Sequence, residues 1–288
     1  MKARILFGLN FLIVIFVILS AISFYQFKEI ERARIYDESI ESLQLELIRL
    51  FSMDNYFFEF EEANEMFYKS GKSSVLDARN KLIHTINEKF NLIGEEQFIS
   101  ANLLRGIHEE FQNYNKQHEL LIGLILERGF KDEGIIGDMR KHAHQIETET
   151  TIPMKHYLML RRHEKDFLLR LDDRYVRLFN EKMDELKKEP AHQRYLKLLD
   201  SYQQEFNTIA HNTQMIGDFG SSGKKFEFRQ SQLTLEKNFQ DLNTLSENKT
   251  LAMVQNGQYV FLFGVAITLL FVLMLIVFTY KSSKAAFN

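Results

Sequence analysis

The segment LMLRRHEKDFLLR, residues 158–170, places six charged side chains and one histidine between leucines. A helix advances about 100° per residue, so Arg161 is expected in the middle of an apolar stripe on this helix. That stripe consists of Met154, Tyr157, Leu158, Leu168, Tyr175 and Phe179. Because an unpaired buried guanidinium is energetically costly, the pattern predicts that Arg161 has an anionic partner in the core.

Two kinds of partner fit the Arg161 guanidinium. An acid of the protein, Glu164 on the same helix or Asp54 on another helix, would form a structural ion layer. A bound carboxylate ligand would fit equally well, because the planar guanidinium matches it with two parallel hydrogen bonds. The periodicity favours the structural layer and leaves the ligand open. The predicted layer comprises Glu164, Lys165, Asp166 and Asp54.

The other polar motifs do not assemble a catalytic or metal site. Arg162 and Asp166 have the i,i+4 spacing of a surface ion pair. His142 and His144 are about 160° apart on a helix, so they do not share one face. The sequence contains no cysteine, no glycine-rich phosphate loop and no nucleophile elbow. We therefore predict a protein that is not an enzyme, without cofactor or metal.

Two apolar segments, residues 5–24 and 259–280, contain no charged side chain. Each is long enough to cross the roughly 30 Å hydrocarbon core of a bilayer as a helix. The first could instead be a signal peptide, but its apolar part is too long and no clear cleavage site follows it. The pattern predicts two transmembrane helices.

Charge indicates the orientation and the class of partner. The short segment before the first span carries Lys2 and Arg4, and the segment after the second span carries Lys281 and Lys284. Basic flanks favour the cytoplasm, so residues 1–4 and 281–288 are predicted there and residues 25–258 on the outer side of the membrane. Removing four positive charges from the net charge of -3 leaves -7 outside, which argues against a nucleic-acid partner. The lack of cysteine is compatible with the periplasm.

Apolar residues of the outer region recur at three and four positions, which predicts an all-α fold. Glycine and proline breaks divide it into six helices, predicted at 25–69, 75–92, 95–127, 138–188, 191–216 and 224–258. Two long helices, the first and the fourth, and two broken arms predict two stacked four-helix-bundle modules that share the long helices. Pro153 is expected to bend the fourth helix, because it removes one backbone hydrogen bond.

The charged segment, followed by Asp172 and Tyr175, and the segment GIIGDMRKHAHQIE at 134–147 carry a family resemblance. Both are similar to the helical bimodular (HBM) sensor domain of bacterial methyl-accepting chemotaxis receptors, over the outer region and both spans. The resemblance implies two stacked modules, each able to bind a small organic anion such as a tricarboxylic-acid-cycle intermediate or acetate. It implies ligand-binding roles for Arg161 and Arg162 in the upper module and for Arg229, Thr234, Arg32 and Arg34 in the lower one. The helical wheel places Arg229 and Thr234 on the flanks of an apolar stripe centred on Leu235 and Leu242.

We therefore expect the ligand-sensing region of a chemoreceptor-type protein of the bacterial inner membrane. Its region at residues 25–258 would lie in the periplasm, bind a small organic acid and shift the helices that enter the membrane. Eight residues after the second span are too few for a signalling region, so a longer chain or a separate partner is expected to supply the output. A homodimer is expected, with the segments at 181–189 and 38–50 as candidate interfaces. The alternative is a bundle that docks a partner or binding protein, as a sensor-kinase input or a structural membrane protein.

Overall fold

The computed structural model describes residues 2–96, 98–149 and 151–287, with side chains described between residues 8 and 281. Every element in these ranges is helical. The β-type pairing in these ranges consists of two isolated bridges in loops, without a strand, so the predicted all-α class is confirmed. A π-helical turn, Phe57–Glu61, follows the first helix, and a 3-10 turn, Pro190–Tyr195, precedes the eighth. The α-helices are α1 (Lys2–Tyr56), α2 (Glu65–Ser70), α3 (Ser74–Glu95), α4 (Ala101–Arg128), α5 (Gly134–Thr148), α6 (Met154–Arg170), α7 (Asp173–Lys188), α8 (Leu196–Ile216) and α9 (Gly223–Phe287).

The first and last helices, α1 and α9, each contain a segment long and apolar enough to cross a membrane. The mean hydropathy of the most apolar stretch is 2.3 in α1 and 3.1 in α9, and these stretches are almost entirely unburied. This arrangement is compatible with a membrane protein of two spans. The side chains of Lys2, Arg4 and Lys284 lie outside the described residues, so the orientation of the spans stays a prediction.

The apolar segments of α1 and α9 pack against each other in antiparallel fashion. The Phe11 and Phe271 rings lie 5.0 Å apart between centroids. A Cβ atom on Gly8 would lie 2.6 Å from Leu275 Cδ2, and one on Gly264 would meet Leu19. Small residues allow this close approach of helices, which is a common feature of helix pairs in membranes.

The chain divides into two compact units. The first contains residues 1–45, 89–104 and 238–288, and the second contains residues 46–88 and 105–237. Beyond the apolar segments, the core of the first unit is aliphatic and aromatic. It includes Ala33, Tyr36, Ile40, Leu43, Phe90, Ile93, Phe239 and Leu242.

In the second unit, α5, α6, α7 and α8 form an antiparallel four-helix bundle around one hydrophobic core. Hydrogen bonds join α6 to α5, from the Tyr157 hydroxyl to Glu147, and α7 to α8, between Asn180 and Asn207. α5 and α8 pack closely as well. Large side chains at the centre include Leu160, Phe167, Phe179, Met183, Tyr202 and Phe206.

The predicted fourth helix, residues 138–188, is wrong, because this stretch folds into three antiparallel helices. Pro153 precedes the first residue of α6 with an extended backbone, so it ends a loop where a bend was expected. Leu171 ends α6 in the left-handed conformation at φ 54°, and the Asp172 side chain accepts a hydrogen bond from the Arg174 backbone to begin α7. No single long helix therefore spans residues 138–188.

The other predicted boundaries differ less. The first outer helix ends at Tyr56, where the π-helical turn and α2 follow. The helices predicted at 75–92, 95–127 and 191–216 correspond to α3, α4 and α8 with its preceding 3-10 turn. The helix predicted at 224–258 is the first part of α9, which continues into the second apolar segment without a break.

Two glycine-bounded loops connect the α5–α8 bundle to α4 and α9. In the first loop, Gly129 has φ +83° and its α-carbon lies so close to Gly134 that a Cβ would collide with backbone. In the second loop, Gly217 has φ +64° and a Cβ there would lie 2.0 Å from the Ser222 carbonyl oxygen. These positions require glycine, since other residues are strained at positive φ and have no room for a side chain.

Candidate functional site

A buried carboxylate, Glu164, is the centre of a polar cluster in the α5–α8 bundle. The Arg161 guanidinium donates to Glu164 Oε2, and the Tyr202 hydroxyl of α8 donates to the same oxygen at 2.7 Å. Lys165 Nζ lies 3.2 Å from Oε1, but without hydrogen-bond geometry, so Oε1 has no hydrogen-bond partner in the described structure. Glu164 therefore links α6 to α8 and is the anionic partner of Arg161 that the sequence predicted.

The buried face of α6 differs from the predicted stripe. Its buried residues are Tyr157, Leu160, Glu164 and Phe167. The centre of this face lies about 80° from Arg161 on the helical wheel, and the Arg161 side chain is 18% exposed. Arg161 is thus on the flank of the core. The prediction was displaced because it used Met154, which is 51% exposed, and Tyr175, which belongs to α7 beyond a break.

Arg162 and Asp166 form the ion pair that their spacing predicts, with 3.6 Å between Arg162 Nε and Asp166 Oδ2. The Arg162 side chain is 79% exposed, and Asp166 also lies 3.7 Å from Arg170. Exposed pairs of this kind contribute roughly 0–1 kcal/mol. Asp166 and Arg162 therefore belong to the surface of α6, whereas Glu164 belongs to its core.

Burial and neighbouring charges shift the pKa of two members of the Glu164 cluster, Arg161 and Tyr202. Burial, the largest single effect, lowers the pKa of Arg161, but Glu164, Tyr202 and Tyr157 together outweigh burial and the pKa is raised. Burial, followed by the negative charge of Glu164, raises the pKa of Tyr202. Both groups therefore keep their protons, and a guanidinium and a hydroxyl donate to one carboxylate. This is the chemistry that holds a carboxylate, and here the protein supplies the carboxylate itself.

A second buried cluster, also in the second unit, surrounds Asp54 of α1. Arg79 of α3 donates from Nε to Asp54 Oδ1 at 2.5 Å and from Nη2 to Oδ2 at 3.3 Å. The Tyr114 hydroxyl of α4 donates to Oδ2 at 2.5 Å, and Arg79 Nη2 also donates to Asn115 Oδ1 at 3.1 Å. The Asp54 and Arg79 side chains are 0% and 2% exposed. Of the two acids considered as partners of Arg161, Glu164 is the one that pairs with it, and Asp54 pairs with Arg79 instead.

His118 of α4 completes the Asp54 cluster as a neutral ring. Its Nε2 atom lies 3.3 Å from Asp54 Oδ1 but makes no hydrogen bond in the described structure. Burial, and then the positive charge of Arg79, lowers the pKa of His118 to about 2. Burial raises the pKa of Asp54, and Arg79 opposes that rise. The His118 ring packs 5.7 Å from both Phe58 and Phe228, so residues of α1, α3, α4, α9 and the π-helical turn meet at this cluster.

The sequence analysis missed Arg79, Tyr114, Asn115, His118 and Tyr202. Arg79 did leave a signal, since it lies within about 60° of the apolar stripe of α3. That stripe contains Leu82, Ile86, Phe90 and Ile93. On α4, Tyr114 and His118 follow Phe111 at helical spacing on one buried face. A charged residue on such a stripe indicates a buried ion, but its partner on another helix is not readable from spacing.

The residues implied for a lower ligand site are not gathered in one unit. Arg34 belongs to the first unit, and Arg229 and Thr234 belong to the second. Arg229 donates to the Gln232 side chain at 3.0 Å, whereas Thr234 and Arg34 are exposed. Leu235 and Leu242 are buried, as the wheel predicted. Arg32 pairs with Glu29 at 3.1 Å and is 69% exposed.

The histidines considered for metal binding have carboxylate partners on the bundle surface. His142 contacts Glu205 of α8 at 2.7 Å, and His144 contacts Glu147 at 3.1 Å. Among the described residues, no three histidine, cysteine or acidic side chains come close enough to hold a metal ion.

Comparisons with known proteins were made for the whole chain. No protein-family model, no curated protein and no solved structure matches it. The assignment of function therefore depends on the two buried clusters, on the apolar segments of α1 and α9, and on the motif at residues 158–170.

Proposed function

We propose that the chain is the sensing region of a chemoreceptor-type protein of the bacterial inner membrane. Its helical region would lie in the periplasm, respond to a small organic acid and pass the response through two spans. The resemblance of residues 134–147 and 158–175 to the HBM sensor domain supports this proposal. So do the two helices that are apolar and long enough to cross a bilayer.

The observation that carries the proposal is the continuity of α1 and α9. Each helix runs without a break from a buried polar cluster into an apolar segment. Asp54 binds α1 to α3 and α4, and Glu62, just after the π-helical turn, contacts Arg128 of α4 at 3.2 Å and Lys225 of α9 at 2.6 Å. A ligand that favours one packing of these helices would move the ends that enter the membrane.

The bimodular arrangement takes a different form in this proposal. One module is the α5–α8 bundle, inserted as a whole between α4 and α9. The other module would consist of α1, α3, α4 and α9. Stacking of the two modules stays a prediction, and so does the homodimer.

Arg161 is the residue proposed to bind the organic acid. Its guanidinium is partly exposed and already holds the Glu164 carboxylate, with Lys165 close by. A carboxylate of the ligand would replace the Glu164 carboxylate beside Arg161, so the guanidinium would keep an anionic partner. Release of Glu164 would loosen the link from α6 to α8 through Tyr202. Such an exchange gives the ligand a different affinity for two packings of the bundle.

Titration calorimetry of the full chain in detergent, with malate, succinate, citrate and acetate, tests this proposal. We expect one of these acids to bind, Arg161→Ala to abolish the binding, and Glu164→Gln to strengthen it by removing the internal competitor. Arg170→Ala is the matched control, because Arg170 lies on the same helix and is 58% exposed. Absence of binding by all four acids, or equal affinity in Arg161→Ala, would contradict direct acid sensing.

A second function, docking of a partner protein, is favoured by the outer face of α6. Met154, Leu158 and Leu169 are exposed within about one sixth of the helix circumference. Exposed apolar side chains among basic ones suit a partner with acidic and apolar groups. In that case the free acids would not bind, and Leu158→Glu would abolish the cellular response while leaving the helix content unchanged.

A further inference from the structure

A cavity in the first unit lies between α1 and the end of α3, whereas both buried clusters belong to the second unit. Its volume is about 420 Å³, within the range of roughly 300–1,000 Å³ that is usual for small-molecule pockets. Tyr36 and Ile93 line it and are each 3% exposed, so they form its base. Ile35 and Leu92 also line it and are 57% and 64% exposed, which leaves apolar surface free at its mouth.

The polar lining of this cavity is mostly anionic. Glu38, Glu95 and Glu96 face a single cation, Lys89, so the formal charge is three negative against one positive, or -2. Lys89 Nζ donates to Ser42 Oγ at 2.7 Å, which holds the ammonium against α1. The cavity is at the C-terminal end of α3, where unpaired carbonyl groups and the helix dipole add negative potential.

The Tyr36 hydroxyl lies near one of the carboxylates. Burial raises the pKa of Tyr36, a hydrogen bond with the Ile99 backbone opposes that rise, and the charge of Glu96 adds a smaller increase. The Tyr36 ring packs 4.9 Å from the Phe98 ring, which Lys249 Nζ already contacts at 4.4 Å from the centroid, and Tyr36 is the ring that lines the cavity. An aromatic face beside carboxylates is a combination that attracts organic cations.

We propose that this cavity binds a small organic cation, with its ammonium group toward the carboxylates and its apolar part against the cavity base. A carboxylate ligand is disfavoured by the net charge of -2. A metal ion is disfavoured as well, because the described residues bring no three acidic or histidine side chains within reach of one ion. The apolar base and mouth instead suit an amphipathic ammonium compound.

This site would supply a second input of opposite charge to the proposed acid site. A ligand between Ile35 of α1 and Leu92 of α3 would add contacts between the two helices close to the first apolar segment. None of its lining residues contacts Arg161 or Glu164, so the two proposals fail or succeed separately.

The test is titration calorimetry of the full chain in a neutral detergent with three matched probes. These are phenethylammonium, the neutral 2-phenylethanol and the anionic phenylacetate. We expect saturable binding of phenethylammonium, at least about fivefold weaker binding of the alcohol, and no binding of the anion. Equal affinities for the three probes, or no saturable binding of the ammonium, would overturn the proposal.

Charge-neutralising variants assign the binding to this cavity. Glu38→Gln combined with Glu96→Gln should weaken phenethylammonium binding at least about fivefold. Glu41→Gln should leave it unchanged, because Glu41 is exposed on the same helix and does not line the cavity. Helix circular dichroism checks that the exposed substitutions preserve the fold. An unchanged affinity in the double variant overturns the proposal.

Discussion

Removal of Arg79 tests whether the Asp54 cluster holds the second unit together. In Arg79→Met, Asp54 loses two hydrogen bonds and its counter-ion and keeps the Tyr114 hydroxyl, and Asn115 loses its donor. Both charged side chains are almost fully buried, so solvent does not compensate the loss. Breaking a buried ion pair from one side costs about 3–5 kcal/mol. We expect a decrease of this size in the free energy of unfolding at neutral pH, measured by urea unfolding of the full chain in detergent.

Two comparisons complete this experiment. Arg49→Met, at an α1 arginine that is 72% exposed and 3.9 Å from Glu46, should cost no more than about 1 kcal/mol. The double variant Asp54→Leu/Arg79→Met removes both charges, and the unpaired Tyr114 and Asn115 groups should cost about 1–3 kcal/mol. The double variant should therefore be more stable than Arg79→Met alone. If the cost of the double variant equalled the sum of the costs of Asp54→Leu alone and Arg79→Met alone, the ion pair would be refuted. An Arg79→Met cost equal to that of Arg49→Met would refute it as well.

Three further predictions concern the second unit. Gly217→Ala should lower the free energy of unfolding by about 1–3 kcal/mol, because φ is +64° and the new Cβ would meet the Ser222 carbonyl. Gly106→Ala, at a helical glycine with open space around it, should instead raise the free energy of unfolding by up to about 1 kcal/mol in the same urea experiment. The pKa of His118 is about 2 in the folded chain and 6.5 for the free side chain, so the unfolded chain takes up a proton as the pH falls and the folded chain does not. The free energy of unfolding should therefore fall by about 2 kcal/mol from pH 7 to pH 5. His118→Leu should remove this part of the pH dependence. Leu171→Gly should stabilise the fold by about 1 kcal/mol, because it relieves a leucine in the left-handed conformation at φ 54°. The thermal unfolding midpoint should therefore rise, and a lower midpoint would contradict that reasoning.

Local features of the chain could be read from the sequence. The apolar segments at both ends, the all-α class and the approximate limits of α3, α4 and α8 follow from composition, periodicity and glycine breaks. The Arg162–Asp166 pair follows from i,i+4 spacing on one helix. The presence of a buried ion on α6 was also predictable, because a charged group on an apolar stripe requires a partner.

The partner of each buried charge was decided by tertiary structure. Spacing gives the direction of a side chain from its own helix, but the facing helix depends on how the chain turns at Pro153, Leu171 and the glycine loops. A proline can either bend a helix or end it, and in the folded chain Pro153 precedes α6, which pairs with α5 as a hairpin. In this arrangement the buried face of α6 is centred nearer Glu164 than Arg161, and Asp54 pairs with Arg79. Local periodicity determines which residues are candidates for burial, whereas the packing of distant helices determines which opposite charges meet.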